Sequence, residues 1–319
     1  MKISIYGAGR VGVSVAFSIM HKAIADEIVI VDIDKKRAEG EALDLMHSSA
    51  MFKRCDVSAT GPEGIKDSDF IVITAGRSQL PGETRLDLVE GNFRIIEKIA
   101  NEILRYSPNS LIINVTNPVD VLTYFLQKLT NIPREKVIGT GTTLDTARLR
   151  VLLSKICKIS PSSIHAYVIG EHGDSEFVPF SIATIGGLSL EKYCKSCSFK
   201  NEDSSKSAET CLEFKRIEEE VRRAAYKIIE KKGATNLAIG AVTSTLIESM
   251  IKDEKRVWTP SVKIDDIYIG FPAVLGRNGV ERILEIELSE SENEKLEYSK
   301  KIIRSTINAI QERRETFLV

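Results

Sequence analysis

The sequence predicts an α/β protein, a doubly wound parallel sheet followed by a second α+β domain, and three observations carry that prediction. Apolar β-rich runs alternate with helical patterns through about the first 140 residues, the pattern of strands joined by helical crossovers. The first run leads at once into Gly7-Ala8-Gly9-Arg10-Val11-Gly12 and then into an apolar helical pattern. Beyond about residue 140 the alternation stops, and helices mix with two runs that look antiparallel. A chain of 319 residues is long for one ordinary domain and short for three. The boundary falls between a dinucleotide-binding domain, 1–140, and a catalytic or substrate domain, 141–319.

The elements follow in order. Residues 2–6 read as a strand, and Val11, Val15, Ala16 and Ile19 put one apolar face on the helix that follows. A second β run, 27–31, ends on Asp32, and 35–46 reads as a helix. Residues 69–74 form a buried strand by composition, ahead of a Gly- and Pro-bearing loop at 76–83. Over 85–105, Leu88, Ile95, Ile96, Ile99 and Ile103 recur at helical spacing. A strand at 110–115, a helix at 119–129 and a short strand at 137–139 complete this half, whose strand candidates fit one doubly wound domain of the Rossmann type. The second half reads as a helix at 144–157, a strand at 164–169 and a polar, Ser- and Lys-rich surface loop at 195–209. A long charged amphipathic helix at 213–231 and a more apolar one at 235–251 come next. Antiparallel strands at 257–264 and 267–274 turn at Asp265-Asp266, and a final helix runs from 289.

Composition narrows the function classes. The chain carries 44 basic and 45 acidic residues, so it has no basic excess for nucleic acid or an anionic membrane surface. No apolar run is long enough to span a bilayer. The N-terminus enters a strand directly, leaving no room for a signal peptide, and a cytoplasmic protein is expected. Five scattered cysteines do not make a disulfide framework. Cys194 and Cys197 form a Cys-x-x-Cys pair, but Cys211 lies at irregular spacing and no His is close, so the pair reads as two incidental thiols and no metal is expected.

Gly7-x-Gly9-x-x-Gly12 alone is a weak signal. Here it has a strand before it, a helix after it, and Asp32 at the end of the next strand, twenty residues past Gly12. Gly7 permits the tight turn, Gly9 lets the backbone approach a pyrophosphate, and Gly12 lets helix and strand pack closely. The helix N-terminus supplies N–H donors for the phosphates. A carboxylate at Asp32 accepts from ribose hydroxyls and repels a 2′-phosphate, which favours NAD over NADP. Of the four histidines, His21, His47, His165 and His172, the last sits in a Gly-Glu-His-Gly-Asp loop just after a strand, where loops carry function. A hydride transfer between a hydroxy acid and a nicotinamide also moves a proton, and a group titrating near neutrality suits that role. Asp145 and Arg148 share a helix face. By periodicity they are either a surface ion pair, or a carboxylate that holds a His beside a guanidinium that clamps a substrate carboxylate.

Taken in order, the stretches 7–12 with Asp32, 79–85, 116–120, 144–150, 165–175 and 232–235 resemble the L-lactate/malate dehydrogenase family over most of the chain. The resemblance implies that His172 is the acid/base, that Asp145 holds its imidazole, and that Arg148 binds the substrate carboxylate. It implies that Arg85 polarises the reacting carbonyl on lid closure, that Asn117 bonds the substrate oxygen and helps seat the nicotinamide, and that Thr235 lines the pocket. Val11, Arg37, Gly76, Val115 and Thr140 match the family's other NAD contacts. One lid position divides the family's substrates: malate dehydrogenases carry Arg there and lactate dehydrogenases Gln. This sequence has Gln79. A second carboxylate in a closed pocket without a facing cation would be buried unpaired, whereas pyruvate offers only a methyl group. Lactate dehydrogenase activity, most like the bacterial enzymes, is therefore what the resemblance implies; malate dehydrogenase activity and a non-catalytic NAD-binding protein are the rivals. Arg77-Ser78 ahead of the lid and Leu80 within it depart from the family, and Arg77 is expected to face cofactor or solvent. Arg150 and His165 match positions at which bacterial members bind the activator fructose 1,6-bisphosphate at a subunit interface, which implies a homotetramer. Read alone, they are a solvent-facing Arg and a strand His with local partners.

Overall fold

The computed structural model describes residues 1–77, 84–196 and 214–316. Among the described residues, the first half supplies strands β1 (Lys2–Tyr6), β2 (Glu27–Val31), β3 (Asp56–Ala59), β4 (Phe70–Ile73), β5 (Leu111–Asn114) and β6 (Val137–Gly139). They lie side by side in the order β3–β2–β1–β4–β5–β6 and pair in parallel throughout. The order reverses between β1 and β4, so the crevice at their carboxyl ends is where such a sheet binds ligands.

Helices cover both faces. On one side α1 (Arg10–His21) and α2 (Lys35–Ser48) bury Val15, Ile19, Ala38 and Leu45 against Ile3, Ile5, Ile28 and Ile30. On the other, α3 (Arg85–Tyr106) and α4 (Val119–Thr130) pack Phe93, Ile96, Leu122 and Phe125 onto Ile71, Ile73 and Ile112. Successive strand side chains alternate between the two cores: in β4, Phe70 and Val72 enter one and Ile71 and Ile73 the other. A strand apolar on both faces has to read as an unbroken apolar run, as this one does.

The second half adds α5 (Thr143–Cys157), then β7 (Ile164–His165), β8 (Thr184–Ile185), β9 (Leu188–Ser189) and α6 (Leu190–Ser196). These are followed by α7 (Phe214–Arg222), α8 (Ala224–Lys232) and α9 (Leu237–Ile251), by strands β10 (Arg256–Trp258), β11 (Ser261–Ile264), β12 (Ile267–Gly270), β13 (Ala273–Gly276) and β14 (Gly279–Ile283), and by α10 (Glu290–Thr316). The β11–β12 hairpin turns at Asp265, which takes φ 52°, and it extends the first-half sheet: β11 runs antiparallel to β6, with Ser261 opposite Gly139. Asn236, just before α9, donates to the Ser14 hydroxyl on α1 at 2.9 Å, which ties the helix after the glycine turn to the second half.

Several elements differ from the sequence reading. β3 was missing from the runs picked out by composition, because only Val57 of its four residues is buried. The strand expected over 164–169 shortens to two residues, and Ile169 re-enters pairing through a single bridge to Phe177. The helix expected over 213–231 is two helices, broken at Arg223, whose ψ of −4° lies outside the regular helical range. The strands expected over 257–264 and 267–274 are each cut in two by Pro260 and Pro272, which have no N–H to give a ladder. Their outer halves pair as β10–β13–β14, apart from the β11–β12 hairpin. The polar stretch 195–209 lies almost wholly outside the described residues, as do Cys197 and Cys211; Cys194 is buried. Among the described residues no helix is long and apolar enough to cross a membrane.

Candidate active site

The glycine turn closes over the end of β1. Gly7 takes φ 107°, and a Cβ on it would lie 2.7 Å from the Thr74 hydroxyl, so a side chain is excluded twice over. A Cβ on Gly12 would collide with the Gly7 carbonyl oxygen. Gly9 is different: nothing lies within 4 Å of where its Cβ would be. It is the N-cap of α1, no side chain caps that end, and no acid sits in the first turn. The helix therefore presents unsatisfied N–H donors at an open backbone position, the arrangement that receives a phosphate.

A cleft of about 600 Å³ opens there, with Gly7, Gly9, Asp32, Arg37 and Gly76 among its walls. Asp32 does more than the sequence reading assigned to it. Its Oδ2 accepts the Ala8 N–H at 2.6 Å and its Oδ1 the Asp34 N–H at 2.8 Å, so the carboxylate also pins the glycine turn to the end of β2. Each carboxylate oxygen has a second lone pair, which leaves acceptor capacity for ribose hydroxyls. An open backbone at Gly9, uncapped donors on α1 and an acid at the ribose position together fit a dinucleotide such as NAD.

A second cleft, of about 360 Å³, shares Thr74 and Gly76 with the first. Val11, Val115, Asn117, Thr140, Arg148, His172 and Thr235 line it. His172 Nδ1 lies 2.8 Å from Asp145 Oδ2, and Arg148 Nη1 donates to Asp145 Oδ1 at 2.7 Å. Asp145 is thus neither a surface residue nor half of a surface pair: its side chain is 2% exposed and serves two cationic groups. Burial pushes its carboxyl up, but His172 and Arg148 outweigh burial and hold it below the usual carboxylate range. For His172, burial opposes the charge, and Asp145, with Glu176 and Asp120 behind it, more than compensates, raising the imidazole to about 9. With Nδ1 committed to Asp145, Nε2 is the nitrogen left for a substrate.

The loop carrying His172 is held from several sides. Gly170 and Gly270 exchange backbone hydrogen bonds of 2.9 and 3.0 Å, which tether the loop to β12. Ser299 on α10 accepts the Glu171 N–H at 2.6 Å. Asp120, at the start of α4, accepts the His172 N–H at 2.7 Å and the Ser261 hydroxyl at 2.5 Å. Burial pushes the Asp120 carboxyl up to about 6 although both hydrogen bonds pull the other way. Glu176 approaches His172 Nδ1 at 3.8 Å, and burial, with the Asp145 charge, raises its carboxyl well above the ordinary range.

Most residues named from the sequence therefore meet at these two clefts. Gly12 lies behind the turn as packing, and Asp145 behind His172. Gln79 and the side chain of Arg85 lie outside the described residues. Arg150 and His165 line neither cleft: Arg150 Nε donates to the Ala166 carbonyl at 3.1 Å and its guanidinium lies 5.4 Å from the Tyr167 ring centroid, while His165 is exposed on β7. Arg77, expected to face cofactor or solvent, lines the second cleft with Nη2 docked on the Asp87 carbonyl of α3 at 3.1 Å. Three residues without an assigned role take one here: Asp120, Glu176 and Asn92. Asn92 is buried; its Oδ1 accepts the Arg77 N–H at 2.9 Å and its Nδ2 donates to the Asn117 carbonyl at 2.9 Å, joining the loops after β4 and β5. Asp120 stood inside a recognised stretch, and its place at the head of a helix was the one available signal. The other two act through burial, which the sequence does not display.

Comparison with known proteins agrees with this geometry. The profile described as the lactate/malate dehydrogenase NAD-binding domain matches residues 1–139, and that of the family's α/β C-terminal domain matches 142–314. An L-lactate dehydrogenase of Fervidobacterium nodosum is 65% identical over 98% of this chain and 99% of its own. One of Pseudothermotoga lettingae is 55% identical over 96% of each. The crystal structure of a lactate dehydrogenase from a Medee basin deep-sea metagenome library superposes with a TM-score of 0.91 at 37% identity, covering 97% of this chain and 98% of that one.

Proposed function

This chain belongs to the lactate/malate dehydrogenase family, and we propose that it is an L-lactate dehydrogenase that interconverts pyruvate and (S)-lactate in the cytoplasm. The observation that carries the reading is the convergence of His172, Asp145 and Arg148 on a cleft continuous with the glycine turn. The domain division at about residue 140 separates the residues that hold the cofactor from most of those that hold the substrate. Gly7, Gly9 and Asp32 hold the pyrophosphate and adenosine end, with Arg37 and Gly76, on a turn that Gly12 packs; Val11, Val115, Asn117 and Thr140 seat the nicotinamide end. Bound NADH supplies the hydride, and NAD takes it back in the reverse direction.

The chain's own residues do the rest. Arg148 takes the substrate carboxylate; one of its nitrogens is fixed by Asp145, so the fork is already oriented. Arg85 and Asn117 bond the carbonyl oxygen, and Thr235 closes the wall. His172 gives its Nε2 proton to that oxygen as the carbonyl carbon accepts a hydride, and regains a proton from solvent after lactate leaves. In oxidation the same nitrogen takes the hydroxyl proton. Asp145 stabilises the imidazolium throughout. Gln79 faces the substrate methyl group. Arg150 and His165 hold fructose 1,6-bisphosphate between subunits of a homotetramer.

A steady-state assay with NADH against a panel of 2-oxo acids tests this. Pyruvate is expected to give the highest kcat/KM and oxaloacetate a much lower one. Gln79→Arg should move preference toward oxaloacetate by at least tenfold, the scale set by pairing an otherwise unpaired carboxylate. A wild-type preference for oxaloacetate would make the protein a malate dehydrogenase instead. NADH binding without turnover of any 2-oxo acid would make it a non-catalytic binder.

A further inference from the structure

The chain that carries His172 closes on itself. Ile169 and Phe177 exchange backbone hydrogen bonds of 2.9 and 3.0 Å, so residues 170–176 leave this bridge and return to it with His172 between. The outgoing leg is tied to β12 through Gly170. The return leg, Glu176-Phe177-Val178, is buried. Phe177 commits both backbone groups to Ile169, so the Glu176 carbonyl and the Val178 N–H face the other way, and buried groups of that kind need partners. Both partners come from one helix. Arg222 Nη2 donates to the Glu176 carbonyl at 3.0 Å, and Glu218 Oε1 accepts the Val178 N–H at 3.0 Å. Glu218 and Arg222, four residues apart, share a face of α7. Four residues of helix rise about 6 Å and two residues of strand about 6.6 Å, so the two side chains meet the two backbone groups in register. One turn further, on α8, the Tyr226 hydroxyl donates to Asp174 Oδ1 at 3.1 Å. The clamping groups are themselves fixed: Arg222 Nη1 donates to Glu219 Oε2 at 3.0 Å, and Glu218 Oε1 also accepts Lys295 Nζ of α10 at 3.0 Å. Ile217 and Val221 seat α7 in the apolar cluster that holds Val178 and Leu149 and Leu153 of α5.

We propose that Arg222 and Glu218 are positioning residues for proton transfer: they stand in for a neighbouring strand, fix the return leg of the His172 loop to α7, and so hold the imidazole where its Nε2 reaches the substrate oxygen. The proposal deepens, and rests on, the reading of His172 as the acid/base. Neither residue lines either cleft, so neither acts on the substrate directly. Without Arg222 the buried Glu176 carbonyl loses its charged donor, and the Glu176 carboxyl, 3.8 Å from His172 Nδ1, loses its fixed place behind the ring. Proton transfer is sensitive to small displacements of the donor. The substrate carboxylate falls to Arg148 on α5, outside this clamp, so the rate should move while the affinity for pyruvate does not.

The test is single-turnover oxidation of enzyme-bound NADH at saturating pyruvate, in light and heavy water, with KM for pyruvate and Kd for NADH measured on the same preparations. The proteins are the wild type, Arg222→Met, Arg222→Lys, Glu218→Met and Glu218→Gln. A displaced acid/base predicts that either methionine variant slows the turnover about tenfold, raises the solvent isotope effect above the wild-type value, and leaves KM and Kd within about twofold. A lysine ammonium still donates to a carbonyl and a glutamine oxygen still accepts an N–H, so Arg222→Lys and Glu218→Gln should recover most of the lost rate. Wild-type rates in both methionine variants would overturn the proposal. So would a rise in KM as large as the loss of rate, which would mean that α7 only shapes the substrate wall, or conservative variants as slow as the methionine ones. Should one methionine variant fail to fold, the other position decides by the same criteria. A wild type that binds NADH but reduces no 2-oxo acid would instead remove the acid/base reading, and the proposal with it.

Discussion

Asp145 has two oxygens and gives one to an imidazole and the other to a guanidinium. That division sets the proton chemistry of the site. A donor works only while protonated, and His172, raised to about 9, stays charged across neutral pH. Pyruvate reduction should hold steady through neutrality and fall as pH rises through about 9. Asp145→Asn removes the largest group that raises the imidazole, so the falling limb should move toward the ordinary histidine value of ~6.5. A pH–rate profile of kcat/KM reads this, and an unmoved midpoint would mean that Asp145 does not set it. The same raised pKa makes the charged pair a source of stability that is complete below ~6.5 and lost as pH climbs through the folded value. His172→Asn keeps the ring's approximate size without a titrating proton, and should lower kcat by roughly 10²–10⁴-fold with NADH affinity retained. Turnover near the wild-type rate would remove the assigned role. His172 and Asp145 were legible because their loop and helix contexts are distinctive. Glu176 was not, since its raised pKa depends on neighbours brought in by folding.

Elements place these side chains more than their own local preferences do. The start of α4 shows this most directly: Asp120 belongs to one element yet holds the His172 loop and β11 by two hydrogen bonds. Asp120→Ala would leave the His172 N–H and the Ser261 hydroxyl without their acceptor in a buried setting, costing roughly 2–4 kcal/mol of stability. Because the loop loses its anchor, kcat should fall with it; denaturant unfolding and steady-state kinetics on one preparation check both. A stability loss with no change in kcat would show that the loop is held adequately by Ser299 and the Gly170–Gly270 pair. The parallel strands were readable because burial on both faces forces unbroken apolar runs. β3 was not, since an edge strand with one buried residue carries no such run. The prolines at 260 and 272 were visible, and their missing N–H groups could have split the two long strands; what composition could not show is that the halves join different sheets. Likewise, the spacing of 218, 222 and 226 is plain in the sequence, but that these side chains meet residues 178, 176 and 174 is a fact of packing.

At the scale of the whole molecule, the proposed bisphosphate site and the reaction cleft share one helix. α5 begins with Asp145 and Arg148 at the cleft and continues to Arg150, which turns away from it. Among the described residues no carboxylate pairs with Arg150. Burial lowers the proton affinity of its guanidinium; Tyr167 opposes this, and Arg256, itself 3.6 Å from Glu254, adds to it. His165 lies beside it in sequence terms, one residue before the carbonyl that Arg150 grips. A bisphosphate placed between two such sites would neutralise both subunits at once, and would favour whichever arrangement of subunits brings them together. Any adjustment of Arg150 would then have less than two helical turns to travel to Asp145 and Arg148, proposed to hold the substrate carboxylate. Fructose 1,6-bisphosphate should accordingly lower KM for pyruvate and shift the sedimentation of the protein toward a tetramer, in proportion. Arg150→Gln should abolish both effects and leave turnover at saturating pyruvate within about twofold, because Arg150 lines neither cleft. If the bisphosphate still lowered KM in that variant, the anion would bind elsewhere; if it lowered KM without changing the association state, coupling would run within one subunit along α5 and the interface would have no part in it.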